Sequence, residues 1–471
     1  MKRPPRMRRV LSSLLVGACL LPSIAADRVS AQRAKDTITI SWWTPMGDPL
    51  GSSLQLPFFK KFEQSHPGIT VKFADVPAPN GNYTKYVTDM AAGRGPDVIF
   101  LPTFNPPVPE WAANGLIQPL DAYAKQLGVS TNASLPWVQK MQTFHGHTWA
   151  FVQDYDSTLF VWNKDAFKAA GLDPNRPPRT IAELDAYTAK LTKFDSKGNI
   201  LQLGMVPWAG QLGTTFGAGN DYGGDPQFFS MLFGGSIYDT VHQKYTINQS
   251  ANVRALNWMA QWAKKLGGVD KVNAFTSRFV GNNDPIYTGK VAMEFVGDWV
   301  PAFTFKPYAP KNFNYGVAAP PTVPGVPYGT NMVVGSGPIV MPTGTKHPKE
   351  AAELMQYMVS AVPVLQWAIG ESNMPPTRAA AFDPSLVKAW PYMAATDVGT
   401  ARAALTNPKM LMLFPNSSIY DYVKTTYSNA MAQVEYGRST AQAALDLVQK
   451  QVDQREITSK QQNPAWYRTG D

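Results

Sequence analysis

Val98-Ile99-Phe100-Leu101 is an unbroken apolar run. A strand with one wet face alternates, whereas a continuous apolar run marks a strand buried on both faces, covered by helices on either side of a parallel sheet. The preceding segments supply its partners. Ile38, Ile40 and Trp42 alternate with Thr39 and Ser41, and Leu54, Phe58, Phe59 and Phe62 then recur at helical spacing. Pro67-Gly68 breaks that helix, Ile69, Val71 and Phe73 alternate again, and a helix from about Tyr83 to Ala92 ends near Gly93. Strand–helix–strand–helix–strand order predicts an α/β lobe with a mainly parallel sheet.

One such lobe does not exhaust 471 residues, since domains run to roughly 100–200 residues each. Later helices announce themselves by their caps. Thr180 with Glu183 reads as a capping box before Ile181, Leu184 and Leu191, Pro348 suits a first helical position, and Ser439 with Gln442 caps a terminal helix. The stretch Pro320–Gly337 reads as a loop leading into an extended segment. Only 16% of residues are charged, which excludes a largely disordered chain or an extended charged coiled coil.

Residues 2–9 carry five basic side chains, an apolar run from Val10 to Ala26 follows, and Val29-Ser30-Ala31 offers small residues at a cut. That pattern is a secretory signal peptide over 1–31, with a single membrane anchor as the alternative. Without it the formal charge falls from +9 to +4, with 37 basic and 33 acidic residues and no dense basic run, so nucleic acid is not an expected partner. Cys19 is the sole cysteine. Val16-Gly17-Ala18-Cys19 loosely resembles a lipobox, which would make an exported lipoprotein, although a cysteine buried in the signal peptide is the plainer reading. The body after the leader has no thiol for disulfides or Cys-ligated metals.

The usual catalytic signatures are missing. There is no His-Glu-x-x-His, no metal-spaced carboxylate set, no Walker-type phosphate loop and no Gly-x-Ser-x-Gly elbow. His145-Gly146-His147 reads as a solvated loop, and Gly217–Gly223 lacks dinucleotide spacing. We therefore expect no catalytic residues, no metal and no cofactor, while a glycosidase carboxylate pair, set by space and not by sequence, stays open. Instead, aromatic residues stand beside polar turns: Trp42-Trp43 before Asp48, Asp154-Tyr155-Asp156, Pro207-Trp208-Ala209-Gly210 and Gly297-Asp298-Trp299. Sugars want this pairing, because their C–H faces lie on aromatic rings and their hydroxyls bond carboxylates and amides. Trp43, Asp154 and Asp298 are candidate ligand contacts on this ground.

Several segments, in order, resemble the extracellular solute-binding proteins of bacterial ABC importers, the group that includes maltose- and glycerol-3-phosphate-binding proteins. They are Gly95-Pro96-Asp97-Val98, Ala113-Asn114-Gly115-Leu116-Ile117-Gln118-Pro119-Leu120, Phe160-Val161-Trp162-Asn163-Lys164-Asp165 with the residues to Leu172, Tyr287-Thr288-Gly289-Lys290-Val291-Ala292-Met293, and Gly297-Asp298-Trp299. The resemblance implies a two-lobe α/β periplasmic-binding-protein fold of type II, with the ligand cleft between lobes that close by hinge motion. It implies an N-lobe from 36–152 and 336–378 and a C-lobe from 153–335 and a helical 379–471, with strands crossing near Trp149–Asp156 and Asn331–Gly337.

By position, the resemblance also adds ligand contacts at Asp48, Phe104, Asp156, Trp208, Trp299, Asn416 and Tyr420. Thr103-Phe104-Asn105-Pro106-Pro107 departs from the maltose binders, and Gly81-Asn82-Tyr83 is similar to the glycerophosphodiester-binding branch. The implied protein is a monomeric, non-enzymatic carbohydrate binder, exported to the periplasm or to the outer face of the cytoplasmic membrane, whose partners are a small sugar-derived solute and permease subunits. The alternatives are a secreted carbohydrate-active hydrolase, a glycerophosphodiester-binding importer component, and a receptor that passes occupancy to a signalling partner.

Overall fold

The structure, a computed structural model, describes residues 37–46, 50–78, 82–104, 107–129, 134–206, 226–240, 242–279, 283–394, 410–413, 415–464 and 466. The expected leader, Asp48, Trp208 and the loop Gly217–Gly223 lie outside the described residues. The strands that matter for the site are β1 (Ile38–Thr44), β2 (Ile69–Asp75), β3 (Val98–Phe100), β4 (Thr103–Phe104), β5 (Phe151–Asn163), β6 (Met293–Gly297), β7 (Tyr315–Ala318), β8 (Asn331–Val340) and β9 (Leu411–Met412). The principal helices are α1 (Leu50–Ser65), α2 (Thr84–Ala91), α3 (Ile181–Leu191), α4 (Ser250–Lys265), α5 (Pro348–Met358), α6 (Ala361–Glu371), α7 (Tyr420–Glu435) and α8 (Ala441–Gln462).

Among the described residues these strands form one nine-stranded sheet in the order β6–β5–β8–β3–β1–β2, with β7 on β5 and with β4 and β9 on β8. β1 runs parallel to β2 and β3, as the apolar run at Val98 predicts. β8 runs antiparallel to β3 and β5. β5 does double service. Its first half, Phe151–Ser157, pairs with β8, and its second half, from Thr158, pairs with β6 and β7.

Two separate cores follow from that strand. Phe151 packs with Ile40, Trp42, Phe59, Phe62, Phe100, Met355 and Trp367 in the first. Nine positions later Phe160 packs with Leu184, Phe228, Trp258, Phe295, Val423, Tyr427 and Leu445 in the second. Full burial of side chains of this size contributes roughly 1.5–3 kcal/mol each, so both lobes have ample apolar stabilisation. The fold is a two-lobe α/β architecture with β5 and β8 passing between the lobes. No helix among the described residues is long and apolar enough to cross a membrane.

Local chemistry mostly follows the expected caps. Thr180 Oγ1 accepts from Glu183 N at 3.1 Å, but the Glu183 carboxylate accepts from Arg179 N at 2.9 Å and from the Arg176 guanidinium at 2.6 Å, so only half of the box forms. Pro348 opens α5 as expected. The cap of α8 is one residue later than read from the sequence. Thr440, not Ser439, accepts from Ala443 N at 3.2 Å, because its extended backbone puts the hydroxyl over the first turn.

Candidate functional site

The site grows from the alternation of β5. Asp154 and Asp156 are two residues apart on a strand, so both project from one face. Asp156 stands opposite Gly335 of β8, and Gly335 stands opposite Phe104 of β4, which places Phe104 and Asp156 in one register row. The strand opposite cannot carry a larger residue at Gly337: a Cβ there would lie 2.0 Å from Asp154 Oδ1 and 2.7 Å from Phe100 Cε2. From the second lobe, Asp298 follows the last residue of β6. Its N–H donates to the Ser157 carbonyl at 3.1 Å, and the Ser157 hydroxyl donates to Asp298 Oδ2 at 2.9 Å.

A third segment completes the cluster. α6 ends at Ser372, which takes the left-handed conformation at φ 61°, a cost the surrounding contacts must offset. Tyr155 N donates to the Met374 carbonyl at 3.0 Å and so pins the next residues against β5. The Asn373 amide is thereby held within 3.2 Å of Asp154 Oδ2, 3.0 Å of Asp156 Oδ1 and 2.9 Å of Glu371 Oε2. The Trp367 indole N–H also donates to Asp154, and the Ser372 hydroxyl donates to the Asp298 carbonyl.

Four carboxylates thus share a buried space with one amide, one indole, one hydroxyl and the backbone N–H groups of Gly337 and Ser157 as donors. An amide has two hydrogens and here faces three acceptors, so the donors fall short. Burial first, and the Asp156 charge second, hold Asp154 well above the ordinary carboxylate range. Burial and then Asp156 do the same to Asp298, and burial and then Asp154 to Glu371. Burial raises Asp156 to about 6 against the opposing Asn373 hydrogen bond. Asp298 Oδ1 and Asn373 Oδ1 have no hydrogen-bond partner, so acceptor capacity remains.

The sequence-derived candidates therefore separate into groups. Asp154, Asp156 and Asp298 come together in this cluster. Trp299 follows Asp298, and its ring lies flat over Gly297, where a Cβ would come within 1.9 Å of it. It is half-buried between the second core and a smaller cluster around Val296, Phe305 and Val317. Trp43 packs edge-on to Tyr86 at 5.7 Å with the Lys85 ammonium 5.0 Å above its ring. Tyr420 is buried in the second core, and Asn416 donates to the Lys140 carbonyl at 2.7 Å.

Sequence reasoning missed Glu371, Ser372 and Asn373. Their only signal is three polar residues in succession between apolar α6 and Met374-Pro375-Pro376.

A family model described as bacterial extracellular solute-binding protein matches residues 47–363. An ABC transporter extracellular-binding protein of Pyrococcus horikoshii is 26% identical over 80% of this chain and 82% of its own. The sn-glycerol-3-phosphate-binding periplasmic protein of Pectobacterium atrosepticum is 24% identical over 93% of this chain and 95% of its own. Among solved structures, CpMnBP1 with mannotriose bound is 28% identical, with a TM-score of 0.74 over 88% of this chain and 99% of its own. Maltose-bound Thermotoga maritima MalE3, at 22% identity, shares the fold with a TM-score of 0.69 over 88% of this chain and 99% of its own. With two α/β lobes joined by crossing strands, and a family match spanning most of its length, the chain belongs to the bacterial extracellular solute-binding proteins.

Proposed function

We propose that this protein captures a neutral carbohydrate outside the cytoplasm and delivers it, by hinge closure, to the membrane subunits of an ABC importer. The observation that carries the reading is the donor-poor cluster of Asp154, Asp156, Asp298, Glu371 and Asn373 where β5 and β8 pass between the lobes. Such a cluster meets hydroxyl donors well, and bonds from hydroxyls to charged or polar acceptors stabilise a bound sugar by roughly 1.5–3 kcal/mol when the acceptor is ionised. Asp156, raised only to about 6, is ionised at neutral pH and repels a phosphate, so a sugar fits better than the glycerol 3-phosphate of one relative. Phe104 belongs to the same register row, and Trp299 supplies an apolar ring next to Asp298. Asp48, Trp208, Asn416 and Tyr420 complete the proposed contact set on the family resemblance, and Trp43 on its place beside a polar turn.

The lobe division 36–152 with 336–378, and 153–335 with 379–471, is part of this reading. It is supported by α7 and α8 packing in the second core. We also take the mature chain to be a monomer that binds without turnover and leaves the cytoplasm through removal of residues 1–31, with acylated Cys19 as the anchored alternative. Only differential affinity for the closed form can drive closure.

A thermal-shift series with mannotriose, maltose, glycerol 3-phosphate and a glycerophosphodiester tests the assignment. A sugar at one hundred times its dissociation constant stabilises by about 2.7 kcal/mol. Stabilisation by a phosphorylated solute alone would overturn the neutral-sugar reading, and release of shorter products from a labelled oligosaccharide would overturn the binding-only reading.

A further inference from the structure

α8 begins in one lobe, and Trp466 just past it packs against the other. Its first three turns bury Ala441, Ala444, Leu445, Val448 and Val452 in the second core. The next ten residues, about 15 Å of helix, leave that core. On this stretch the Arg455 charge acts on Glu110 of the first-lobe helix Val108–Ala113, against the larger opposing effects of burial and of Asp421 on α7. Trp466, whose N–H donates to the Asn463 carbonyl at 3.1 Å, then packs into the first lobe. Its ring centroid is 4.2 Å from His145, 5.9 Å from Phe144 and 5.9 Å from Trp149.

The receiving surface is built for a ring. Thr143–Phe144 and His147–Thr148 form a two-stranded hairpin whose turn holds His145 at φ 50° and Gly146 at φ 72°. A non-glycine residue at positive φ is uncommon, and here it turns the imidazole onto the indole. Phe144 and Trp149 stack on each other at 5.9 Å and 22°, and the Trp149 indole N–H donates to the Phe144 carbonyl at 3.0 Å. Trp149 stands two residues before β5, so the ring-lined pocket sits at the root of a crossing strand.

We propose that α8 and Trp466 form a strap from the second lobe to the base of the crossing strands, limiting how far the lobes twist and splay about β5 and β8. A contact so near the crossing moves little during a hinge rotation, yet resists motions off the hinge axis. The first lobe's Lys140 carbonyl, bonded by Asn416 just ahead of α7, is a second tie on the same face. The strap narrows the ligand-free ensemble and so raises the fraction competent to bind.

The body after the leader has no cysteine, so paired spin labels can be placed at will. Lys125→Cys in the first lobe and Lys264→Cys on α4 in the second are exposed positions that report the inter-lobe distance. In the ligand-free, leader-processed protein, Trp466→Ala broadens the distance distribution at least twofold, and Trp466→Phe restores a narrow one. His145→Asn, which tolerates the left-handed backbone and removes the imidazole, broadens it less and provides the test if Trp466→Ala does not fold. An unchanged width in the folded variants, even with faster amide exchange at Phe144–Trp149, would overturn the strap and leave Trp466 as a cover over the hairpin.

Discussion

Asp97 and the Asp154–Asp156–Asp298–Glu371 cluster are both buried acids that join distant stretches of chain, and they behave oppositely. Burial pushes Asp97 up, but donors outweigh it and hold its carboxyl below the usual range. Ser41 Oγ at 2.6 Å, Ser41 N at 2.9 Å, Thr345 Oγ1 at 2.6 Å and Lys346 N at 3.3 Å all donate to it. The crossing cluster has the burial with fewer donors for each carboxyl, and all four of its carboxyls are raised. Donor supply, more than depth, decides which acid is a structural pin and which keeps capacity for something else. Asp97 serves the fold, whereas the crossing cluster gives up stability at the positions proposed to meet a solute.

The sharpest way to break this contrast is Asp97→Ala. It strands four donors between β1 and the segment before α5, and we expect a loss of about 3–5 kcal/mol, since each bond to a charged acceptor is worth roughly 1.5–3 kcal/mol. Calorimetric unfolding should show a Tm lower by about 5–10 °C, the order expected for that loss, with sugar affinity kept. Lost affinity at normal Tm would reverse the assignment.

Acidity comes next in size. Asp97, with its folded pKa depressed, contributes stability above the unfolded value near 4 and loses it only as pH falls through the folded value. The raised cluster carboxyls have the opposite sign. Their contribution is complete below the unfolded value and is lost as pH rises through the folded one, about 6 for Asp156 and raised well above the ordinary range by burial for the others. Between pH 4 and 8, therefore, Asp156 should make the ligand-free protein less stable as pH rises, by an amount of order 2–3 kcal/mol at one pKa unit per 1.36 kcal/mol. A flat Tm over that range would show that the cluster is not protonated in the folded state.

Replacing Trp299 by Ala is expected to weaken sugar binding by roughly 2 kcal/mol, about thirtyfold, while leaving the fold intact. Unchanged affinity in titration calorimetry would assign the ring to packing over Gly297 alone. The smallest effect is that of Asp156→Asn. It keeps the shape, removes one raised carboxyl, and should hold or slightly raise Tm at pH 8 while lowering affinity about tenfold, near 1.4 kcal/mol. Wild-type affinity in this variant would detach Asp156 from the ligand.

What was legible in the sequence had local causes. The parallel strands of the first lobe, the helix opened by Pro348 and the Thr180 cap follow from period and capping within a dozen residues. Asp154, Asp156 and Asp298 were readable as acids beside aromatic residues, although Asp154 and Asp156 lie within strand β5 and not at the expected turn. Their common environment was not, because Asn373 reaches Asp156 across 217 positions and depends on the bridge between Tyr155 and Met374. Nor could composition distinguish Trp42, buried and bonded through its indole N–H to Gln55 at 2.6 Å, from its neighbour Trp43, since register alone decides which of two adjacent side chains faces the core.

The pairing of β5 with β8 is uneven. Register slips occur between Val333 and Gly335 and again between Ser336 and Pro338, on either side of the Phe104–Gly335–Asp156 row. β5 runs through both lobes as thirteen residues, roughly 43 Å of extended backbone. The slack is shared between the two crossing strands: β8 has the extra residue between Val333 and Gly335, and β5 has it between Val152 and Tyr155. Bending strain should therefore collect between the two slips, at the level of Asp156. A load applied across the lobes would be felt first at the residues proposed to meet the solute, which would make the compliance of the joint and the chemistry of capture one property of the same few positions.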